Sequence, residues 1–195
     1  MPSRLTRMAA GGIVVLLAAA ALSACAARPQ LRVAGDMSPV GIEEFSVAAG
    51  QPWSFLTVIL CVSDPGSVTI DSVAMDQPTG GLRIDAFATA PNPFPTGESP
   101  MGAGPVLLPD LNEGYVLGGE PVTSVCPKPG EEQSWTGGTM LAIQVSKRSA
   151  GMAFSRALNV TYETDGSQRV LSIPFGIALC DRPQESPCPI PFGSD

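Results

Sequence analysis

Five cysteines and a complete absence of histidine set the chemistry open to this 195-residue chain. Cys25, Cys61, Cys126, Cys180 and Cys188 carry the only thiols, and no two are spaced Cys-x-x-Cys. Thioredoxin-type exchange and zinc-knuckle ligation both need that spacing, so neither fits. Without an imidazole there is no Ser-His-Asp or Cys-His catalysis, no His-ligated zinc and no simple histidine pH switch. A serine nucleophile would need Lys or a terminal amine as base, and no Ser-x-x-Lys occurs. Gly97-Glu98-Ser99-Pro100-Met101 lacks the second glycine of a nucleophile elbow. The carboxylate pairs Glu43-Glu44 and Glu131-Glu132 are adjacent in sequence. On a strand such neighbours point to opposite faces, which does not suit paired acid–base work. Asp71, Asp76 and Asp85 are too sparse for a calcium loop. The chain is therefore expected to be non-catalytic and to carry no cofactor or metal.

The first cysteine stands apart from the others. Arg4 and Arg7 precede an apolar run from Met8 to Ala21, shorter than the roughly 20 residues a spanning helix requires. A positive start, a short apolar run and small closing residues describe a signal peptide. The closing Leu22-Ser23-Ala24-Cys25 resembles the lipobox of bacterial lipoproteins. That resemblance implies cleavage after residue 24, lipidation of Cys25, export, and attachment to the outer face of the cell membrane. Two acyl chains give stable anchoring where one is marginal, each buried methylene contributing about 0.8 kcal/mol.

The remaining four cysteines are even in number in a chain read as exported, which points to disulfides. Cys61, Cys126, Cys180 and Cys188 allow three pairings: Cys180 and Cys188 could close a small loop, and Cys180 could equally reach Cys61 or Cys126. Loss of Arg4 and Arg7 with the signal leaves nine of the 11 basic residues against all 18 acidic ones. So acidic a body argues against nucleic acid as a partner and against a basic membrane-binding patch.

The elements that position these groups read as strands. Residues 26–40 are Pro-containing and aperiodic, which with Cys25 suggests a flexible tether over 25–40. From residue 41 the pattern changes. Segments rich in β-branched and aromatic residues alternate with Gly and Pro punctuation, and none shows a helical period with caps. Strands are expected at Ile42–Val47, Trp53–Val62, Val68–Met75, Leu82–Thr89, Met140–Lys147, Phe154–Glu163 and Arg169–Leu179. Shorter ones are expected near Tyr115–Leu117 and Val122–Cys126. Trp53–Val62 is almost wholly apolar, as a strand buried on both faces would be. Met140–Lys147 alternates, with Leu141, Ile143 and Val145 inward. Pro78-Thr79-Gly80-Gly81 suggests a hairpin between the third and fourth strands, and Asp165-Gly166 suggests one between the last two. Pro174 should mark an edge or a bulge.

This pattern predicts an all-β, two-layer antiparallel β-sandwich of immunoglobulin-like type over residues 41–180, followed by a Pro-rich tail at 181–195; a small β-barrel is the alternative. The body resembles uncharacterised β-sandwich lipoproteins of high-GC bacteria in the Pro-Gly-x-Val-x-Ile run at 65–70, Gly-Gly-Leu at 80–82 and the closing hairpin from Leu158 to Cys180. The resemblance implies no activity. Residues 90–113 form a long Pro- and Gly-rich connection, the kind of segment that often carries function. Phe94, Met101, Val106, Leu107 and Leu108 within it, with Trp135 in a second Gly-rich stretch, are candidates for a contact surface. The expectation is a membrane-anchored envelope interaction or structural module with an envelope protein as partner. The alternative is a lipoprotein that binds a glycan, lipid or small solute.

Overall fold

A computed structural model describes residues 28–35, 40–92, 103–111, 114–128, 130–131 and 136–183. Twelve strands are described: β1 (Leu31–Val33), β2 (Val40–Glu44), β3 (Trp53–Val62), β4 (Thr69–Met75), β5 (Leu82–Pro91), β6 (Ala103–Gly104), β7 (Val116–Leu117), β8 (Thr139–Lys147), β9 (Ala153–Ser155), β10 (Leu158–Thr164), β11 (Ser167–Ile173) and β12 (Phe175–Leu179). One layer runs β1-β3-β8-β5-β7, with β6 also on β3. The other layer consists of β11-β10-β4 and β2-β12-β9. Neither layer closes on itself, so the fold is an open sandwich and not a barrel.

The strand order is that of an immunoglobulin-like sandwich. Taking β1, β3, β4, β5, β8, β10 and β11 as successive strands A to G, one sheet reads A-B-E-D and the other C-F-G. The core lies between them. Phe55, Leu60, Val62, Leu141, Ile143 and Val145 face Ile70, Val73, Leu158, Val160, Ile173, Ile177 and Leu179. Side chains on a strand alternate, so β10 buries Leu158, Val160 and Tyr162 and leaves Glu163 exposed.

Several boundaries differ from the expectations. β4 and β5 are not a hairpin: β4 pairs β10, and β5 pairs β8. Residues 76–81 instead carry the chain from one layer to the other, through positive φ at Gln77, Gly80 and Gly81. Gly80 passes so close to the β8–β9 connection that a Cβ there would lie 2.3 Å from the Met152 carbonyl oxygen. Pro174 interrupts the final run, since proline has no amide hydrogen for the ladder. β11 stops at Ile173, and β12 starts a new sheet as the parallel partner of β2. The run expected at Phe154–Glu163 likewise splits into β9 and β10. Val122–Cys126 makes two isolated bridges, Val68↔Val122 and Val62↔Val125, in place of a strand.

The largest difference is at the N-terminal side. Residues 31–33, read as tether, form β1 on the edge of β3 in the register Leu31↔Val62 to Val33↔Leu60. Leu31 is buried in the main core. A three-residue strand is too short to announce itself by period, and its partner lies some 30 residues on.

Candidate functional site

The outer face of the β1-β3-β8-β5-β7 sheet is crossed by a strap, residues 103–111. β6 lays its first residues against β3, pairing Ala103 with Phe55 and Gly104 with Ser54. Ser54 Oγ then donates to the Val106 carbonyl at 2.7 Å. Two residues on, the Leu108 amide donates to Gln144 Oε1 of β8 at 3.1 Å. A short 3-10 turn, Leu108–Asp110, follows, with proline in its first turn. The strap is thus pinned to β3 and β8 by side chains that point outward from the sheet.

Its position depends on small residues. Ala88 of β5 and Ala142 of β8 leave a depression on the outer face, and Leu108 fills it with Leu56, Ala86, Leu111 and Tyr115 around the rim. Leu108 is 0% exposed. This corrects its assignment to a contact surface, because the methyl groups at 88 and 142 make room that only a larger side chain can close. It also explains why β8 is buried on both faces instead of alternating. Leu107, by contrast, is 44% exposed, and Val106 beside it is 37% exposed. Phe94, Met101 and Trp135 lie outside the described residues.

The opposite border of the same sheet carries a second exposed apolar pair. β7 pairs β5 through Ala88↔Leu117 and Thr89↔Val116. Gly118 donates to the Phe87 carbonyl at 3.1 Å, and Glu120 N–H donates to Thr89 Oγ1 at 2.8 Å. Gly119, at φ 83°, follows; a Cβ there would lie 3.3 Å from both Phe87 and Thr89. Held this way, Val116 and Leu117 are 39% and 55% exposed. Tyr115 packs inward between Ile59, Ala90 and Met140 on one side and Leu108 on the other. Its hydroxyl is buried without a partner among the described residues, and burial raises its pKa above the ordinary value. The sequence pattern marked 115–117 as a strand but gave no sign that two of its residues would face solvent.

On this face Arg83 of β5 pairs with Asp85 at 2.7 Å, and its Nε donates to Ser146 Oγ of β8 at 3.1 Å. Glu43 is exposed and Glu44 half-buried, as expected for strand neighbours. Burial raises the Glu44 carboxyl above its usual value, and interaction with the Trp53 indole offsets part of the rise. The Trp53 N–H itself reaches no acceptor within ordinary hydrogen-bond geometry. At the sandwich end formed by the β8–β9 connection, the Lys147 side chain is buried and its Nζ donates to the Gly151 carbonyl. Desolvation lowers its pKa, and the Asp181 charge counters the drop. Asp181 Oδ2 accepts from the Gly151 amide at 2.6 Å, the main reason its pKa is lowered. This cluster ties the 148–152 turn to the end of β12. Among the described residues, no group of His, Cys, Asp and Glu is placed to hold a metal ion.

Of the cysteines, Cys61 of β3 is joined to Cys126, with Cα atoms 5.0 Å apart and a sequence separation of 65. The bridge fastens the segment that precedes β8 to the outer part of the core. The immunoglobulin bridge of antibody domains joins strands B and F, so this one differs in its second attachment. Cys180 is disulfide-bonded as well. Pairing of Cys180 with Cys61 or Cys126 is thereby excluded. Cys25 and Cys188 lie outside the described residues. No helix among the described residues is long and apolar enough to cross a membrane. No family model, curated protein or solved structure matches this chain.

Proposed function

We propose that this chain is an exported lipoprotein, anchored through Cys25, whose sandwich serves as a non-catalytic interaction module of the cell envelope. The observation that carries this reading is the built outer face of the larger sheet. A hydrogen bond donated by Ser54 and one accepted by Gln144 fix a strap that presents Val106 and Leu107, and a pinned edge strand presents Val116 and Leu117. Apolar side chains on rigid backbone are what a protein contact uses, because little ordering entropy remains to be lost on binding. The acidic body favours a protein partner over nucleic acid.

The test is photo-cross-linking in intact cells, with the photoreactive residue at position 107, 117 or 170. Val170 is an exposed apolar residue on β11, in the other layer, and serves as control. One envelope protein captured from 107 and 117, absent from 170, and reduced in a Cys25→Ser chain supports the reading. Identical adducts from all three positions, or none from 107 and 117, count against it.

A further inference from the structure

We infer that the body sits directly on the membrane, with one defined end of the sandwich against the phospholipid headgroups. This rests on the proposal that Cys25 is the lipid anchor. The surface is the end formed by residues 28–30, the β3–β4 connection at 63–67 and the β10–β11 turn at 164–167.

Four sets of contacts bring those segments together. The Gln30 amide donates to Ser63 Oγ at 3.0 Å, and the Ser63 amide donates back to the Gln30 carbonyl at 2.9 Å. Thr164 Oγ1, buried, donates to the Pro29 carbonyl at 3.0 Å. Arg28 lies 4.0 Å from the Asp165 carboxylate. Pro29 is itself buried and packs over Gly66, where an added Cβ would lie 2.8 Å from its Cγ. The chain is therefore already part of the folded body at Pro29, and β1 starts two residues later.

Only Ala26 and Ala27 stand between Cys25 and Arg28. Three residue steps reach at most about 11 Å even when fully extended. A tether over 25–40 would let the body stand off; this one holds the 63–67 and 164–167 turns within a headgroup's thickness of the bilayer. β3 runs away from that end. Its first residue, Trp53, pairs with Val145 near the end of β8, so the 148–152 turn is at the opposite pole. A ten-residue strand spans about 30 Å, which sets the separation of the poles. The seated end carries Asp64 and Asp165 beside Arg28, so proximity here comes from the short linkage and not from charge attraction.

The experiment uses the full lipidated chain in vesicles of phosphatidylethanolamine and phosphatidylglycerol, doped with a headgroup-spin-labelled lipid. Ser67→Cys and Ser149→Cys, both exposed and at opposite poles, each carry a bimane fluorophore, read against the parent chain. The expected result is loss of most emission at 67 and no loss at 149, unchanged by added salt. Fifteen Gly and Ser residues inserted between Ala27 and Arg28, with a root-mean-square span of about 20 Å, should restore the emission at 67. Equal quenching at both poles, or an insertion without effect, overturns the seating. Intact-mass measurement on the same sample separates the two claims. An unmodified Cys25 overturns the anchor and the seating together, whereas a diacylglyceryl Cys25 with equal quenching overturns the seating alone.

Discussion

Leu107 and Leu108 are neighbours of identical chemistry with opposite environments, so truncating each in turn isolates what the strap does. Leu108 is fully buried over Ala88 and Ala142. Beneath it lie sheet backbone and the methyl groups of Ala88 and Ala142, which cannot move in, while Leu56, Leu111 and Tyr115 at the rim can close only part of the space. Burying a leucine and then removing it to alanine costs about 2–5 kcal/mol, the value rising with the cavity left behind. A site that relaxes only in part belongs near the middle of that range, about 3 kcal/mol. In a domain of this size that is a fall in melting temperature of roughly 6–12 °C. Leu107→Ala removes a side chain that is nearly half exposed and should change stability by no more than about 0.5 kcal/mol. Urea unfolding of the purified chain, followed by circular dichroism, gives both values. The cross-linking yield should fall in both variants, in Leu107→Ala through the lost contact and in Leu108→Ala through the displaced strap. Equal stability of the two variants would refute the account, since it would mean that the strap is not seated in the Ala88–Ala142 depression.

Cys126→Ser opens a loop closed across 65 residues of sequence. The loop-entropy relation assigns such a closure about 4 kcal/mol, and thermal unfolding with and without reductant checks it; a parent chain whose melting temperature ignores reductant contradicts this. Gly80→Ala places a methyl group 2.3 Å from the Met152 oxygen at φ 60°. It should destabilise far more than Gly50→Ala, where φ is 77° and nothing lies within 4 Å, so that only the left-handed backbone cost of about 1–2 kcal/mol applies. Similar melting temperatures for the two variants would remove the close approach as the reason for glycine. The Glu44 carboxyl is raised above its unfolded value of 4.5, so the folded state holds that proton more tightly. Its stabilising contribution is full below pH 4.5 and is lost as pH rises through the folded value. Glu44→Gln is expected to raise the melting temperature at neutral pH and to flatten the decline above pH 4.5, measured by scanning calorimetry at a series of pH values.

The parts of the fold visible in the sequence are those decided locally. Trp53–Val62 is an almost wholly apolar run between Pro52 and the Asp64-Pro65-Gly66 turn, and β3 has those bounds. The β10–β11 hairpin follows from Asp165-Gly166, both at positive φ as a two-residue turn requires. What stayed hidden depends on distant partners. β1 exists because the edge of β3 is free beside it, which no pattern in residues 31–33 reveals. The switch of layers between β4 and β5 has the same turn residues a hairpin would have. It is the pairing of β5 with the distant β8, from Leu82↔Lys147 to Pro91↔Thr139, that decides against the hairpin. The site shows the same limit. Leucines 107 and 108 are indistinguishable in sequence, and only the alanines at 88 and 142 determine which of them is buried. The apolar pair of β7 was missed for a related reason: two exposed residues on a short edge strand look like two strand residues anywhere.

The short pairing of β1 with β3 has a mechanical consequence. β1 runs antiparallel to β3, and Leu31, its first residue, sits opposite Val62 at the end where the N-terminal chain leaves. A pull on residues ahead of Arg28, directed away from that end, acts along the axis of β1. Its hydrogen bonds to β3, the Thr164–Pro29 bond and the burial of Leu31 then share the load in shear, and none can open by peeling before the others. A pull on β1 at right angles to the sheet would break them one at a time. The first strand of this sandwich is thus oriented to resist tension applied through its N-terminal chain, with the three segments at that end acting as one clamp.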